Sequence, residues 1–171
     1  MRPNIDKVPS FYKRYIEVIE SENIVENLEQ GKSDLLAIYE NLSEEDADYA
    51  YQMDKWTLKQ MLMHLIDTER VMAYRALRFA RNDKTALAGF DQDDFVDSID
   101  PSDYPLADLI KEYKAVRQAT ICLFKNMPVA NLSKVGTASG YPMDVVTLAF
   151  IIPGHERHHL GVIRERYGSI F

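Results

Sequence analysis

The stretch PMDVVTLAFIIPGHERHHLGVIRERYG, residues 142–168, decides how the chain is read. It reads as a long helix that starts near Pro142 or Met143, with Asp144 favourable beside the first-turn amides. It ends at Tyr167-Gly168, glycine being a stop signal. Pro153 falls inside it, removing one hydrogen bond and pressing on the Ala149 carbonyl, so a kink or a local break is predicted just before His155. The centre of the stretch is Gly154-His155-Glu156-Arg157-His158-His159. On a helix, His155 and His159 share one face with Cβ atoms about 5–6 Å apart. Two imidazoles so placed reach one divalent ion without straining the backbone. His158 is rotated by about 60° from His155 and about 100° from His159. It reads as a neighbour behind the ligands or a surface histidine. The chain has four histidines, and the fourth, His64, lies in a second helical stretch. A lone histidine on an amphipathic helix is ordinarily structural, so the pair carries the argument. The expectation is a three-histidine metal site of His64, His155 and His159.

The helix carrying His64 opens at Trp56-Thr57-Leu58-Lys59-Gln60. Thr57 is its predicted N-cap and Gln60 holds the reciprocal capping-box position. Leu58, Met61, Leu62, Leu65, Val71, Met72, Leu77 and Phe79 are its apolar residues, and it ends near Asn82-Asp83. Asp67 and Thr68 follow His64 on the same face. Upstream, residues 1–9 read as an extended lead-in with Pro3 and Pro9, and Ser10 is predicted to cap a short helix over 11–19. A longer helix is predicted from Ser21 or Glu22 to Leu42, with Gly31 as a candidate interruption. Ser43 and Asp46 form a second cap signal before a short helical turn.

Downstream, residues 83–104 form a long connection with an acidic run. Asp91-Gln92-Asp93-Asp94 resembles the opening of a calcium loop, but the sixth position is Val96 and the twelfth is Ser102. Those carboxylates are therefore expected to serve caps, turns and pairing with arginines. A third long helix is predicted from Pro105 or Leu106 to Asn126, and residues 127–141 as a crossover containing Gly and Ser. No alternating strand series and no internal repeat is visible. Four long helices predict an all-α four-helix bundle, a fold that takes metal ligands from facing helices. The connections 83–104 and 127–141 leave room for a long crossover.

The 171 residues are expected to form one domain. With 46% apolar and 27% charged residues, the composition is that of a globular protein. A net charge of −7 disfavours a general nucleic-acid partner. The arginines at 70, 75, 78 and 81 read as a solvated helix face. The single Cys122 sits in Ile121-Cys122-Leu123-Phe124 and is expected to pack in the core. The N-terminus lacks an apolar signal core, and no stretch approaches the roughly 18–20 apolar residues of a membrane span. A cytoplasmic protein without a membrane partner is expected.

His155-Glu156-Arg157-His158-His159 also satisfies H-E-x-x-H, the zinc protease pattern. The extended form needs a glycine and a histidine where this chain has Val162 and Glu165, and little chain remains for a cleft subdomain, so a protease is disfavoured. Three imidazoles leave one to three positions open, a catalytic rather than a closed structural arrangement. Such a site suits hydrolysis through a bound water, or activation of a thiolate. Zinc and nickel both suit imidazole. Asp67 and Glu156 are candidates to orient an imidazole or act as base. A thiol-transfer reaction would also need polar anchors, for which Arg70, Arg75 and the crossover loop are candidates. The alternative is a non-catalytic metal-binding or ligand-sensing bundle.

Several segments together resemble one family. They are Lys55-Trp56-Thr57, His64-Leu65-Ile66-Asp67-Thr68-Glu69-Arg70, Ala73-Tyr74-Arg75-Ala76-Leu77-Arg78, Gly89-Phe90-Asp91-Gln92-Asp93-Asp94-Phe95, Gly136-Thr137-Ala138-Ser139-Gly140-Tyr141-Pro142 and Gly154 to His159, with Phe11-Tyr12-Lys13-Arg14-Tyr15 fitting as well. The chain resembles the DinB-like superfamily, in particular its YfiT-like metal-dependent hydrolases. The resemblance implies a four-helix bundle with one metal held by His64, His155 and His159, and a homodimer. It implies a small-molecule substrate and either hydrolysis or S-transfer with a low-molecular-weight thiol as cosubstrate. Pro153 stands where a small helix-compatible residue is expected in relatives.

Overall fold

Polar side chains cap most of the helix starts, and prolines take the cap position of the others. In the computed structural model, which describes residues 1–168 and 170, helix α1 spans Ser10–Glu17 and α2 spans Ile24–Tyr39. Helices α3 (Glu44–Ala47), α4 (Leu58–Ala80), α5 (Gln92–Asp97) and α6 (Leu106–Lys125) follow. Strands β1 (Val135–Ala138) and β2 (Tyr141–Asp144) then lead into α7 (Val145–Arg166). At α4 the Gln60 amide donates to Thr57 Oγ1 at 3.1 Å and the Thr57 amide donates to Gln60 Oε1 at 2.9 Å. This is the predicted capping box, and Ser43 and Asp46 form the other.

Several expectations are corrected. Ser10 is the first residue of α1 rather than its cap, because Pro9 takes the cap position; the lead-in also holds a 3-10 turn at Ile5–Lys7. Helix α2 starts later than expected because the Asn23 side chain accepts from the amides of Val25 and Glu26. It runs through Gly31 without interruption. The 83–104 connection contains α5, capped by Asp91; Asp83 pairs with Arg78, and Asp100 accepts from the Ser102 amide.

The predicted crossover loop contains a hairpin. Strands β1 and β2 pair antiparallel through a turn whose central residues, Ser139 and Gly140, have φ of 53° and 81°. Positive φ at both positions suits the right-handed twist of the strands. Four residues per strand are too few to show alternation in the sequence. Pro142 and Met143 therefore belong to β2, and Asp144 caps α7, accepting from the Thr147 amide at 2.8 Å. Leu87 joins the hairpin through bonds to Thr137 and Ser139.

Helix α7 continues through Pro153 without the predicted break. Every residue from Val145 to Glu156 is buried, so packing on all sides offsets the roughly 3 kcal/mol that an internal proline costs. Cys122 is exposed, contrary to the expected core packing. Four consecutive apolar residues span a full turn of α6, and one of them must face outward. Arg75 is fully buried rather than part of a solvated face.

The long helices form a four-helix bundle. Helix α4 packs on α6 and α7, and α2 packs on the same two. The square therefore runs α2–α6–α4–α7, so α2 to α4 and α6 to α7 are joined across its diagonals. Residues 126–144 make one diagonal crossing, as the sequence suggested. The other is 40–57, whereas 83–105 joins neighbours. Helix α1 packs along α7. Among the described residues no helix is long and apolar enough to cross a membrane.

Two apolar cores fill the bundle. One contains Leu28, Met72, Phe79, Ile121 and Phe150, with Ile16 of α1. The other contains Leu35, Tyr39, Leu62, Leu109, Leu160 and Ile163. Between them lies a polar layer to which α4 contributes His64 and Glu69, α6 contributes Arg117, and α7 contributes His155, Glu156 and His159.

Candidate metal centre

His64 projects from α4 toward α7, where His155 and His159 stand one turn apart. The Nε2 atoms of His64 and His155 are 3.0 Å apart, and those of His159 and His155 also 3.0 Å. The three rings meet edge to face, with centroids 4.5–4.9 Å apart. Ring nitrogens of all three lie within 4.8 Å of one another.

Burial keeps these rings uncharged. It lowers the pKa of His64 to about 4. It lowers that of His159 to about 3, helped by His64, His158 and Arg14. His155 is pushed well below the ordinary range by burial first and then by His159 and His64. Neutral imidazole is the form that binds metal. His158 is shifted down less, by burial and Arg14. It stacks near Tyr15 and His159 at 5.5 and 5.2 Å, outside the group of converging nitrogens.

The arrangement fits a cation better than a hydrogen-bond network. A ring nitrogen carries either one proton or one lone pair, so His155 Nε2 cannot satisfy both its neighbours. Ligands about 2.0–2.1 Å from a tetrahedral ion stand roughly 3.3 Å apart, close to the separations seen. Two buried polar atoms, the Nδ1 of the His159 ring and Thr68 Oγ1, have no hydrogen-bond partner among the described residues.

The two candidate carboxylates lie elsewhere. Glu156 accepts from Arg117 Nη1 at 2.9 Å and Nη2 at 2.7 Å, and from the Tyr113 hydroxyl at 2.6 Å. Burial raises its pKa and Arg117 opposes the rise. Its oxygens are thus engaged away from the imidazoles. Asp67 borders a groove with Ile99, Tyr104 and Glu112 and sits 3.8 Å from Arg70. Neither hydrogen-bonds to a histidine among the described residues. Arg70 pairs with Glu112 on the surface.

A buried triad, Glu69–Arg117–Glu156, lies beside the histidines and is not apparent from the sequence. Arg117 Nε donates to both Glu69 oxygens at 2.9 and 3.0 Å, and Nη1 also donates to the Leu28 carbonyl. The available signal was Arg117 itself, four residues after Tyr113 on the apolar stripe of α6. Gly31 makes room for the triad, since a Cβ there would stand 2.0 Å from Glu156 Oε1.

His155 opens onto a cleft of about 460 Å³. Phe11, Tyr12 and Tyr15 of α1 form one wall, Phe90 and the start of α5 another, and Thr68 and Ile151 the floor. Tyr15 is held against His155, centroids 5.2 Å apart. Its hydroxyl accepts from Arg14 at 2.7 Å, which leaves its own proton free to donate. On the other side, Trp56 lies 4.8 Å from His64 and borders a second depression of about 450 Å³; Asp93 lines both.

A helical bundle with a histidine cluster between two of its helices is the class that fold and site define. The family model of the DinB superfamily matches residues 27–163, and the chain belongs to that superfamily. A solved structure of YfiT from Bacillus subtilis, described as "a probable metal-dependent hydrolase with an unusual four-helix bundle topology", aligns with a TM-score of 0.75 at 16% identity. The alignment covers 89% of this chain and 91% of that one. No curated protein matches the sequence.

Proposed function

We propose that the protein is a metal-dependent enzyme acting on a small molecule, with His64, His155 and His159 holding one divalent ion, zinc or nickel. The observation that carries this reading is the convergence of three desolvated, neutral imidazoles, one of which, His155, lines an open cleft. A fully coordinated structural ion needs no such cleft. When bound, the ion supplies Lewis acidity toward a carbonyl and lowers the pKa of a coordinated water or thiol.

The chain's own residues do the rest. The aromatic wall excludes water and orients an apolar portion of the substrate. Tyr15 offers a proton at the cleft, beside His155. Asp91 and Asp93 are the carboxylates that line the cleft among the described residues, and Asp93 stands as the candidate base. Hydrolysis and transfer to a low-molecular-weight thiol both use this arrangement.

Metal analysis of untagged protein tests the site. One ion per chain is expected, lost in His64→Ala and His159→Ala. Wild-type protein that binds no divalent ion would overturn the reading. Ester and amide hydrolysis assayed beside thiol conjugation to a reactive chloroarene separates the two reactions, and absence of turnover in both would favour the sensing alternative.

A further inference from the structure

Among the described residues two arginines are buried, each 1% exposed, and they are treated differently. Arg117 faces two carboxylates. Arg75 faces none among the described residues. Its Nη2 donates to the Ala88 carbonyl at 2.8 Å and to Ser139 Oγ at 2.9 Å, and its Nη1 approaches Met72 Sδ at 3.7 Å. The Phe90 ring lies 5.8 Å from the guanidinium, which also faces the Tyr12 hydroxyl. A guanidinium cannot escape burial by losing its proton, and a buried charge without a counter-charge is costly.

Met72, Phe90, Ser139 and Tyr12 all line the cleft onto which His155 opens. Ser139 accepts from Arg75, so its own O–H remains free to donate into the cleft. The Tyr12 hydroxyl, on the same cleft, lies near the same guanidinium. Two hydroxyls beside one buried guanidinium, Ser139 hydrogen-bonded to it and Tyr12 near it, form a receptor for an oxyanion. Ser139 is placed by the positive-φ turn of the hairpin, and Tyr12 by α1. The carboxylates that border the cleft, Asp91 and Asp93, are exposed; Asp91 is occupied with the amides of Asp93 and Asp94.

We propose that the cleft takes a substrate bearing a carboxylate, received by the Tyr12 and Ser139 hydroxyls with Arg75 behind them, while the remainder of the substrate lies against the aromatic wall and reaches His155. This rests on the proposed metal-dependent function only in treating the cleft as the substrate site.

Benzoate and its neutral counterpart benzamide are the probes, titrated calorimetrically at fixed ionic strength. Wild-type protein is expected to bind benzoate about tenfold more tightly or better, the scale of a charge-assisted hydrogen bond. Arg75→Met removes the charge at similar length, and the preference is expected to vanish. Should that variant not fold, Tyr12→Phe combined with Ser139→Ala removes the two donors and is expected to have the same effect. Arg14→Ala, at the rim of the cleft, is expected to keep the preference. His64→Ala is also expected to keep it, because the receptor does not include the ion. Equal binding of the two probes by wild type would overturn the proposal. So would a preference that survives Arg75→Met, or one lost with Arg14 or with His64. A preference that persists in a wild-type protein unable to bind metal would refute the metal reading and leave the carboxylate receptor standing.

Discussion

His64 is the least exposed of the three imidazoles, and its enclosure has a cost that pH reveals. Each ring titrates lower in the fold than in the unfolded chain, whose histidines have a pKa of about 6.5. As pH falls the unfolded chain binds protons first, so metal-free protein loses stability from about pH 6.5 downward until the folded rings protonate too. For His64, whose folded value is about 4, the gap is worth on the order of 3 kcal/mol. Urea denaturation of metal-free protein between about pH 4 and 7 should show the midpoint falling with pH. His64→Ala should flatten that slope, and the difference between the two proteins isolates the ring from Glu156, whose raised pKa acts in the opposite direction. Identical slopes would mean that His64 is not desolvated.

The contact of α1 with α7 depends on Gly154. A Cβ at that position would lie 1.9 Å from the Tyr15 carbonyl oxygen, a backbone atom with little freedom to move. Gly154→Ala is therefore expected to cost about 1–3 kcal/mol, as overpacking does. It should also weaken ligand binding in the cleft, since α1 carries Tyr12 and Tyr15. Chemical denaturation combined with the benzoate titration checks both effects. The four long helices and the capping boxes of Thr57 with Gln60 and Ser43 with Asp46 were legible in the sequence because they depend on local patterns and pairs. The three histidines were legible because two share a helical face. The hairpin was hidden because its strands are short, and α5 because one Asx cap starts it within a run of aspartates. Arg75 and the Glu69–Arg117–Glu156 triad were hidden for a different reason. A charged residue on a helix reads as solvated unless its partners are known, and Arg117 and Glu69 lie 48 positions apart. The helix runs unbroken through Pro153, where local strain is visible in sequence and the packing that offsets it is not.

The bundle is two apolar cores joined through a layer of charge and imidazole. Replacing Arg117 with Met should leave Glu69 and Glu156 buried without a cation and cost about 3–5 kcal/mol. Replacing all three members with apolar residues of similar volume should recover most of that loss, because the charges leave together. Denaturant midpoints of the two variants decide the point. Equal losses in both would mean that the layer is held by packing rather than by charge. The diagonal crossings from α2 to α4 and from α6 to α7 also govern timing. Neither crossing lets consecutive helices zip up as a local hairpin, and His64 and His155 are 91 positions apart. Closing so long a loop must come before an ion can be gripped from both sides. An ion held as proposed would thus be a late arrival, locking a bundle whose topology the chain has already found with bare imidazoles.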